Sequence, residues 1–543
     1  MEPPKTHTSE GLTGVSTVPP DKFFRKFCEM QGHEPLLCSV FDEQDWCMIA
    51  PDTSQIYKHL RLYDHEERSP DERLWHEAKH WLRSWFHWNR FKRIPPLIQQ
   101  LLSLDSGECP SKDYFFVESL TSFARQKLNL SARPGPIYER QGFKKKGDCV
   151  DLIVHDACKK IGRILKGHDV APSHAGVTGR GKRSKILSVR NNPNKAFGRL
   201  IRICSAEDVL ICAIFEAPWT ELTHFSSDCA IGDSPFYLGG RREVDHFYGT
   251  KRDAYGAGPD VIKMDANFPL YLTKTIFKML FSQFGVGIIP NFQSFCLRVH
   301  TDCTCEMPDG INVHVTTGLS TGGSFVTLTE TIGTLACVRA SATACLYKPL
   351  NGGEAHVKAR EQVRQYFSLK GLGDDHWYTG QHPLWTASTF SELPCNFEKV
   401  SQMKLHPLCE KGSEGNGPLH YVFLSRNITS DGDKIYLTRP TWDTLLIAKY
   451  PERHISSLDW SYTRVCGLIV DNGMDPESRR LLSKYLDWCE SEGALFDSEP
   501  LNSFASDEAL HWMASHNVTR RLSPKEIDQL FLSDAPAFQP CFL

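Results

Sequence analysis

Apolar and polar positions recur along this chain with two different periods, and the change from one to the other organises it. Over residues 71–91 the apolar residues return at helical spacing, within an N-terminal part, to about Lys146, that is rich in aromatic residues and reads as mainly helical. A continuous apolar run occupies 209–215 and ends at Glu216 and Pro218. From Asp260 onward strand-like and helical pieces alternate, the pattern of an α/β or α+β chain. Behind Pro269, the residues Leu272, Ile276 and Leu280 fall on one helical face with Phe277, Phe281 and Phe284 beside them, and Gly285 can end that helix. Two strand-like runs, 365–372 and His376-Trp377-Tyr378, flank Gly373 and Asp374; a tight hairpin is expected, because its turn needs positive φ. Residues 412–417 read as a loop, and after Glu452 the spacing returns to helices, among them 478–490 and 507–516.

Composition adds bounds. A chain of 543 residues is too long for one simple core, so three or four subdomains are expected around a shared centre. Its 41% hydrophobic and 23% charged residues are typical of a soluble globular protein, and no apolar run approaches the length that crosses a bilayer. Residues 1–20 are polar, lack the apolar segment of a secretory signal and read as a loose tail. The cysteines follow no regular spacing, which favours reduced, partly buried thiols over disulfides.

The formal net charge of −3 means that a protein handling nucleic acid must concentrate its positive charge locally. Residues 176–202 do so, with Arg180, Lys182, Arg183, Lys185, Arg190, Lys195, Arg199 and Arg202 and no acid among them. The same stretch comes within one residue of a P-loop, but Arg183 stands where the magnesium-binding hydroxyl is required. His300, Cys303 and Cys305 have a spacing that suits no common zinc finger.

Three signals carry candidate chemistry. Asp374 and Asp375 at a hairpin tip can grip a divalent metal, though a lone triplet of this kind is an ordinary surface turn. Asp260 and Asp265, four residues apart at a strand end, are a second acidic pair, which alone reads as a solvated helix start. Residues 318–327 form a glycine- and hydroxyl-rich loop running into a helix from about Leu328; it allows close approach to a ribose-phosphate chain, or simply caps the helix. Their order decides between these readings. Two divalent ions that bridge a 3′-hydroxyl and nucleotide phosphates need acids converging from separate strands, and this order supplies them. A non-enzymatic RNA-binding or capsid-associated protein would use the basic stretch equally well, but has no use for such acids.

Over roughly residues 171–452 the chain resembles the RNA-dependent RNA polymerases of partitiviruses, with picobirnavirus enzymes more distant. The first acidic motif is Asp260, Asp265 and Pro269, and the resemblance implies metal binding by Asp260 and ribose sensing by Asp265. The priming-side loop looks like 172–177. The basic motif resembles Arg199 to Arg202, implying that Arg199 and Arg202 neutralise the incoming triphosphate while Lys182, Arg183 and Lys185 line the RNA path. The second motif aligns Gly322, Gly323, Ser324 and Thr327, with Gly322 where the family has Ser and Thr331 where related enzymes carry Asn; RNA contacts for the glycines and nucleotide contacts for Ser324 and Thr327 follow. Asp374 and Asp375 complete the metal site for Mg²⁺ or Mn²⁺. Asn396-Phe397-Glu398-Lys399 makes Lys399 the candidate general acid. Phe423-Leu424, with Ser425 in place of Gly, and then Arg439-Pro440 and Tyr450-Pro451-Glu452, resemble the approach to a thumb.

The resemblance implies an α+β right-hand polymerase: a tail at 1–20, fingers in 21–165 and 166–255, a palm at 256–410 with a fingers insertion at about 287–315, a palm–thumb junction at 411–452 and a thumb at 453–543. The implied activity is two-metal-ion copying of a viral, double-stranded RNA genome. The implied partners are RNA template and product, nucleoside triphosphates and a capsid protein, with no membrane, inside a particle in the host cytoplasm. A reverse transcriptase and a catalytically inactive relative are the alternatives.

Overall fold

The computed structural model describes residues 17–534 apart from 33, 41–45, 50–55, 105–108, 192–198, 225, 286, 288, 320–321, 348–353, 409–411 and 500–507. The fold is mixed α+β, with helices predominating and several antiparallel sheets. No described helix is long and apolar enough to cross a membrane. Lys195, most of the tail, and Ser320 and Thr321 of the glycine-rich loop lie outside the described residues.

The central sheet has four antiparallel strands in the order Gly412–Asn416, Tyr255–Pro259, Asp375–Gly380, Phe367–Leu372. Against it packs the helix Val326–Cys345, which is small or apolar around almost its whole circumference and is buried accordingly. Its Gly333 is needed for close packing, since a Cβ there would lie 2.5 Å from the Phe268 ring. The helix Leu270–Ser282 forms where the pattern placed it, with Leu272, Ile276, Phe277, Leu280 and Phe281 fully buried. The other side of the sheet carries Trp377 into a small core with Phe247, Tyr248 and Tyr421.

A second sheet, ordered Arg199–Ile203, Ala175–Arg180, Cys303–Glu306, Asn312–Val315, contains one parallel pair, Ala175–Arg180 with Cys303–Glu306. A third joins Thr17–Val18, Trp46–Ile49 and Lys182–Lys185. Thr17 and Val18, read as part of a loose tail, are therefore a paired strand. The first helix, Lys22–Met30, packs in one core with Leu37 and the C-terminal helices.

One other expectation is corrected: residues 412–416 are an edge strand and not a loop. The apolar run 209–215 lies within a longer helix, Ala206–Thr223, that continues through Pro218. The described cysteines are free thiols, most of them buried.

Candidate functional site

The hairpin comes first. Asp375 pairs with Leu372, which leaves Gly373 and Asp374 as a two-residue turn, and Gly373 takes φ +61°. The neighbouring strand then brings in the other acid. Tyr378 pairs with Ala257; continuing that antiparallel register by three residues sets Asp260 opposite Asp375 and beside the turn. Asp260 is fixed through its backbone, whose carbonyl accepts the His406 N–H at 2.8 Å, and the His406 Nε2 lies 4.0 Å from an Asp260 carboxylate oxygen. His406 carries no sequence motif and was not foreseen.

The helix Val326–Cys345 clamps the turn from above. The Gly373 N–H donates to Thr331 Oγ1 at 2.8 Å, and that hydroxyl donates in turn to the Thr327 carbonyl. Thr331, which the polymerase resemblance sets against an Asn, thus holds the turn. Its neighbour Glu330 is the residue that faces Asp265. Glu330 is 7% exposed, and one of its carboxyl oxygens would be 3.6 Å from a Cβ on Gly373. Burial, then the Asp265 carboxylate and its hydrogen bond, then Asp374, push the Glu330 acid well above the carboxylate range, which favours the protonated form. The signal for Glu330 was a lone acid on an otherwise apolar helix.

Asp375 is engaged differently from Asp374. Its carboxylate accepts the Leu424 N–H at 2.8 Å, tying the hairpin to a second two-residue turn, Leu424 and Ser425, both at positive φ. Beneath the aspartates lies fully buried His376, whose imidazole burial holds at about 4, so it is neutral. Among the described residues no three His, Cys, Asp or Glu side chains converge into a metal-holding group.

No protein-family model and no curated protein matches this chain. The site must therefore be read from its own geometry.

The glycine-rich loop is held by close backbone approach. Gly318 takes φ +67° and sits against the Asp265 carbonyl, which accepts the Leu319 N–H at 2.8 Å. A Cβ on Gly322 would fall 1.8 Å from the Arg202 carbonyl oxygen, and one on Gly323 would fall 2.4 Å from His300 Nε2. Packing inside the protein thus accounts for both glycines that the resemblance gave to RNA. The Ser324 hydroxyl donates to the Val209 carbonyl at 3.1 Å, while Thr327 is exposed. His300, set aside as a zinc ligand, has both nitrogens occupied: Nδ1 meets the Cys296 carbonyl at 2.7 Å and Nε2 accepts the Phe325 N–H at 3.2 Å. The Cys303 and Cys305 sulfurs lie 3.9 Å apart against the Arg202 guanidinium.

The basic residues divide. Arg202 is 0% exposed, with its guanidinium 4.6 Å from the Tyr63 ring centroid and 3.4 Å from Cys303 Sγ, so it does not face a triphosphate here. Arg199 is on the same strand, paired with Arg180. Arg183 donates to the Tyr450 carbonyl at 2.8 Å and Arg180 pairs with Glu452 through two contacts, so these two bind the chain to itself. Lys182 is exposed, and Lys185 lies 5.7 Å from the Trp46 ring. Lys399 is exposed on the helix Leu393–Ser401, and its ammonium meets no acidic side chain among the described residues.

Proposed function

We propose that this chain is an RNA-directed RNA polymerase of the partitivirus-like kind, a right hand whose palm is the central sheet with the Val326–Cys345 helix. One observation carries the reading: the antiparallel register of Tyr255–Pro259 with Asp375–Gly380, continued beyond Tyr378 and Ala257, leads Asp260 towards the Gly373-Asp374 turn, which is held by the helix that follows the glycine-rich loop.

The donor set suits a hard divalent ion, since it offers carboxylate oxygens and no sulfur. Asp260 and Asp374 would hold Mg²⁺ or Mn²⁺, which when bound lowers the pKa of an attacking 3′-hydroxyl and steadies the nucleotide phosphates. Asp375 anchors the second turn and so supports the geometry from behind. Asp265, oriented by the Glu330 acid, is offered to the ribose of the incoming nucleotide. Thr327, exposed one turn before Thr331, is a further hydroxyl for that nucleotide. In the reaction the 3′-oxygen bonds to the α-phosphorus, the α–β bridging bond breaks and pyrophosphate leaves. Lys399 as its proton donor rests on the resemblance alone.

A second reading, a polymerase-like RNA-binding protein without activity, is favoured by one observation: no three acidic or histidine side chains already converge among the described residues. The test is labelled-nucleotide incorporation on matched RNA and DNA templates. The proposal expects ribonucleotide product on RNA only. Deoxynucleotide product on RNA would mean a reverse transcriptase, and RNA binding without any product would favour the inactive relative.

A further inference from the structure

Two segments far apart in the sequence meet on one face of the molecule, and neither carries a negative charge. Residues 78–104 and residues 270–301 contain no aspartate or glutamate. The first includes much of the helix Glu72–Trp88, and the second begins with the helix Leu270–Ser282. These helices lie side by side. Trp75 meets Tyr271 edge-on at 4.9 Å, and Phe91, just past the first helix, stacks on Phe284, just past the second, at 5.4 Å. Between those contacts a pocket of about 280 Å³ opens, lined by Arg83, Phe86, His87 and Arg90 from one segment and by Met279 and Ser282 from the other.

The pocket is surrounded by unpaired cations. Arg83, Arg90, Lys92, Arg93, Lys274 and Lys278 are exposed, and no side chain of the six makes an ion pair or hydrogen bond among the described residues. Lys274, Lys278 and Ser282 follow one another at a spacing of four, on one exposed stripe of the second helix. Glu77, the acid just before the first segment, is buried and pairs with Arg360 at 2.7 and 2.8 Å, so it does not offset these charges. Amid them Trp88 is 77% exposed, its ring centroid 5.4 Å from that of His87. The backbone here is fixed: Asn89 Nδ2 donates to the Trp85 carbonyl at 2.9 Å, and Phe91 sits between Phe284 and Trp219, 4.6 Å from the latter. Cations and indole are thus held in place before any ligand arrives.

This face stands apart from the acidic site. Trp81, on the inner side of the first helix, donates through Nε1 to Thr343 Oγ1 at 3.1 Å. Thr343 is about 18 Å along its own helix from Thr331, which holds the Gly373-Asp374 turn. We propose that the face binds single-stranded RNA outside the catalytic centre, with the arginines and lysines on successive phosphates and a base stacked on Trp88. Phosphate contacts supply sequence-independent affinity, and an exposed aromatic ring among them accepts any base. An acidic protein segment would meet the same cations, but the centre of a protein interface is depleted in charge, and this face is cationic throughout. The choice of RNA rests on the polymerase reading; the cationic surface and its exposed indole do not.

The experiment is equilibrium binding of a labelled uridine oligomer, and of its deoxy counterpart, to the full chain over a series of salt concentrations. Crosslinking of a 4-thiouridine oligomer with peptide mapping then locates the contact. Wild type is compared with the triple variant Arg83→Gln, Arg90→Gln, Lys278→Gln, with Trp88→Ala and Trp88→Tyr, and with Lys525→Gln as an exposed lysine elsewhere. The triple variant should bind about tenfold more weakly, and its slope of log affinity against log salt should be shallower by about two. Trp88→Ala should weaken binding about fivefold at an unchanged slope, with recovery in Trp88→Tyr, and crosslinks should map to residues 79–94. Unchanged affinity and slope in the triple variant, crosslinks absent from that segment, an equal loss in Lys525→Gln or tighter binding of the deoxy oligomer would each overturn the assignment. So would competition by polyglutamate as strong as by RNA with no effect of Trp88→Ala, which would give the face to an acidic protein. Nucleotide incorporation by the same preparations separates the two claims. RNA synthesis by a chain whose binding ignores these substitutions would bring down this surface alone, and their full effect in a chain that makes no RNA would uphold it and bring down the polymerase reading.

Discussion

His300 shows what a single buried side chain does for the glycine-rich loop. Its Nε2 must be unprotonated to accept the Phe325 N–H, and burial, with the nearby Arg202, holds the imidazole at about 4 against a backbone bond to Cys296 that pulls it up. The folded pKa lies below the unfolded value, so stability is full above about pH 6.5 and falls as the pH drops from there towards 4. Between pH 7 and pH 5 this one group should cost about 2 kcal/mol. Urea unfolding of wild type and His300→Gln at both pH values checks it: the variant's pH dependence should be smaller by that amount, and equal dependence would contradict the assignment. Arg202 teaches the complementary lesson. Its basic neighbours suggested a ligand-facing role, yet Leu200 and Arg202 alternate with Ile201 and Ile203 along one strand, and the even-numbered pair is the buried one. Arg-Leu-Ile-Arg-Ile shows no alternation of apolar and polar residues, and which face would be covered was not legible, because Tyr63 and Cys303 come from distant segments.

Elements with a strong local pattern were readable. The helix Leu270–Ser282 and the Gly373-Asp374 hairpin follow from periodicity and turn chemistry that need no tertiary partner to be recognised. The strand Gly412–Asn416 was not, since Gly-Ser-Glu-Gly-Asn has no strand signature and is held by backbone pairing to Tyr255–Pro259. The link between helix and hairpin was equally hidden, because Thr331 and Gly373 are far apart in sequence. It makes a clear prediction. Thr331→Val keeps the shape but strands the buried Gly373 N–H, which should cost about 1–3 kcal/mol and loosen Asp374. Thr331→Ser keeps the acceptor. Thermal unfolding and nucleotide incorporation should both fall for the valine variant and recover for serine; equal behaviour of the two would show that the clamp does not matter.

Across the whole molecule, contacts distant in sequence close the structure. Asp21 is 1% exposed; it accepts the Phe23 and Phe24 N–H groups at 3.0 and 3.2 Å and the Ser461 hydroxyl, and lies 3.6 Å from buried Arg464. Phe24 and Phe27 pack edge-on against Tyr485, at 5.0 and 5.2 Å. Arg180 and Arg183 add contacts to Glu452 and the Tyr450 carbonyl. Asp21→Ala removes a helix cap and the carboxylate beside Arg464, whose guanidinium keeps only the Ile447 and Ala448 carbonyls, so it should lower stability by about 3–5 kcal/mol in urea unfolding, with Asp21→Asn less damaging. A loss under 1 kcal/mol would mean that the N-terminal helix is only loosely docked. No local pattern announces such a tie, which is why the first helix could not be assigned to the C-terminal helices from sequence.

The central claim is that Asp260 and Asp374 serve one catalytic centre. The most direct measurement is incorporation of labelled nucleotide on a single-stranded RNA template, with and without Mg²⁺ or Mn²⁺, by wild type and Asp374→Ala. The account predicts metal-dependent product from wild type and background alone from the folded variant. Undiminished synthesis by Asp374→Ala in a clean preparation would contradict it.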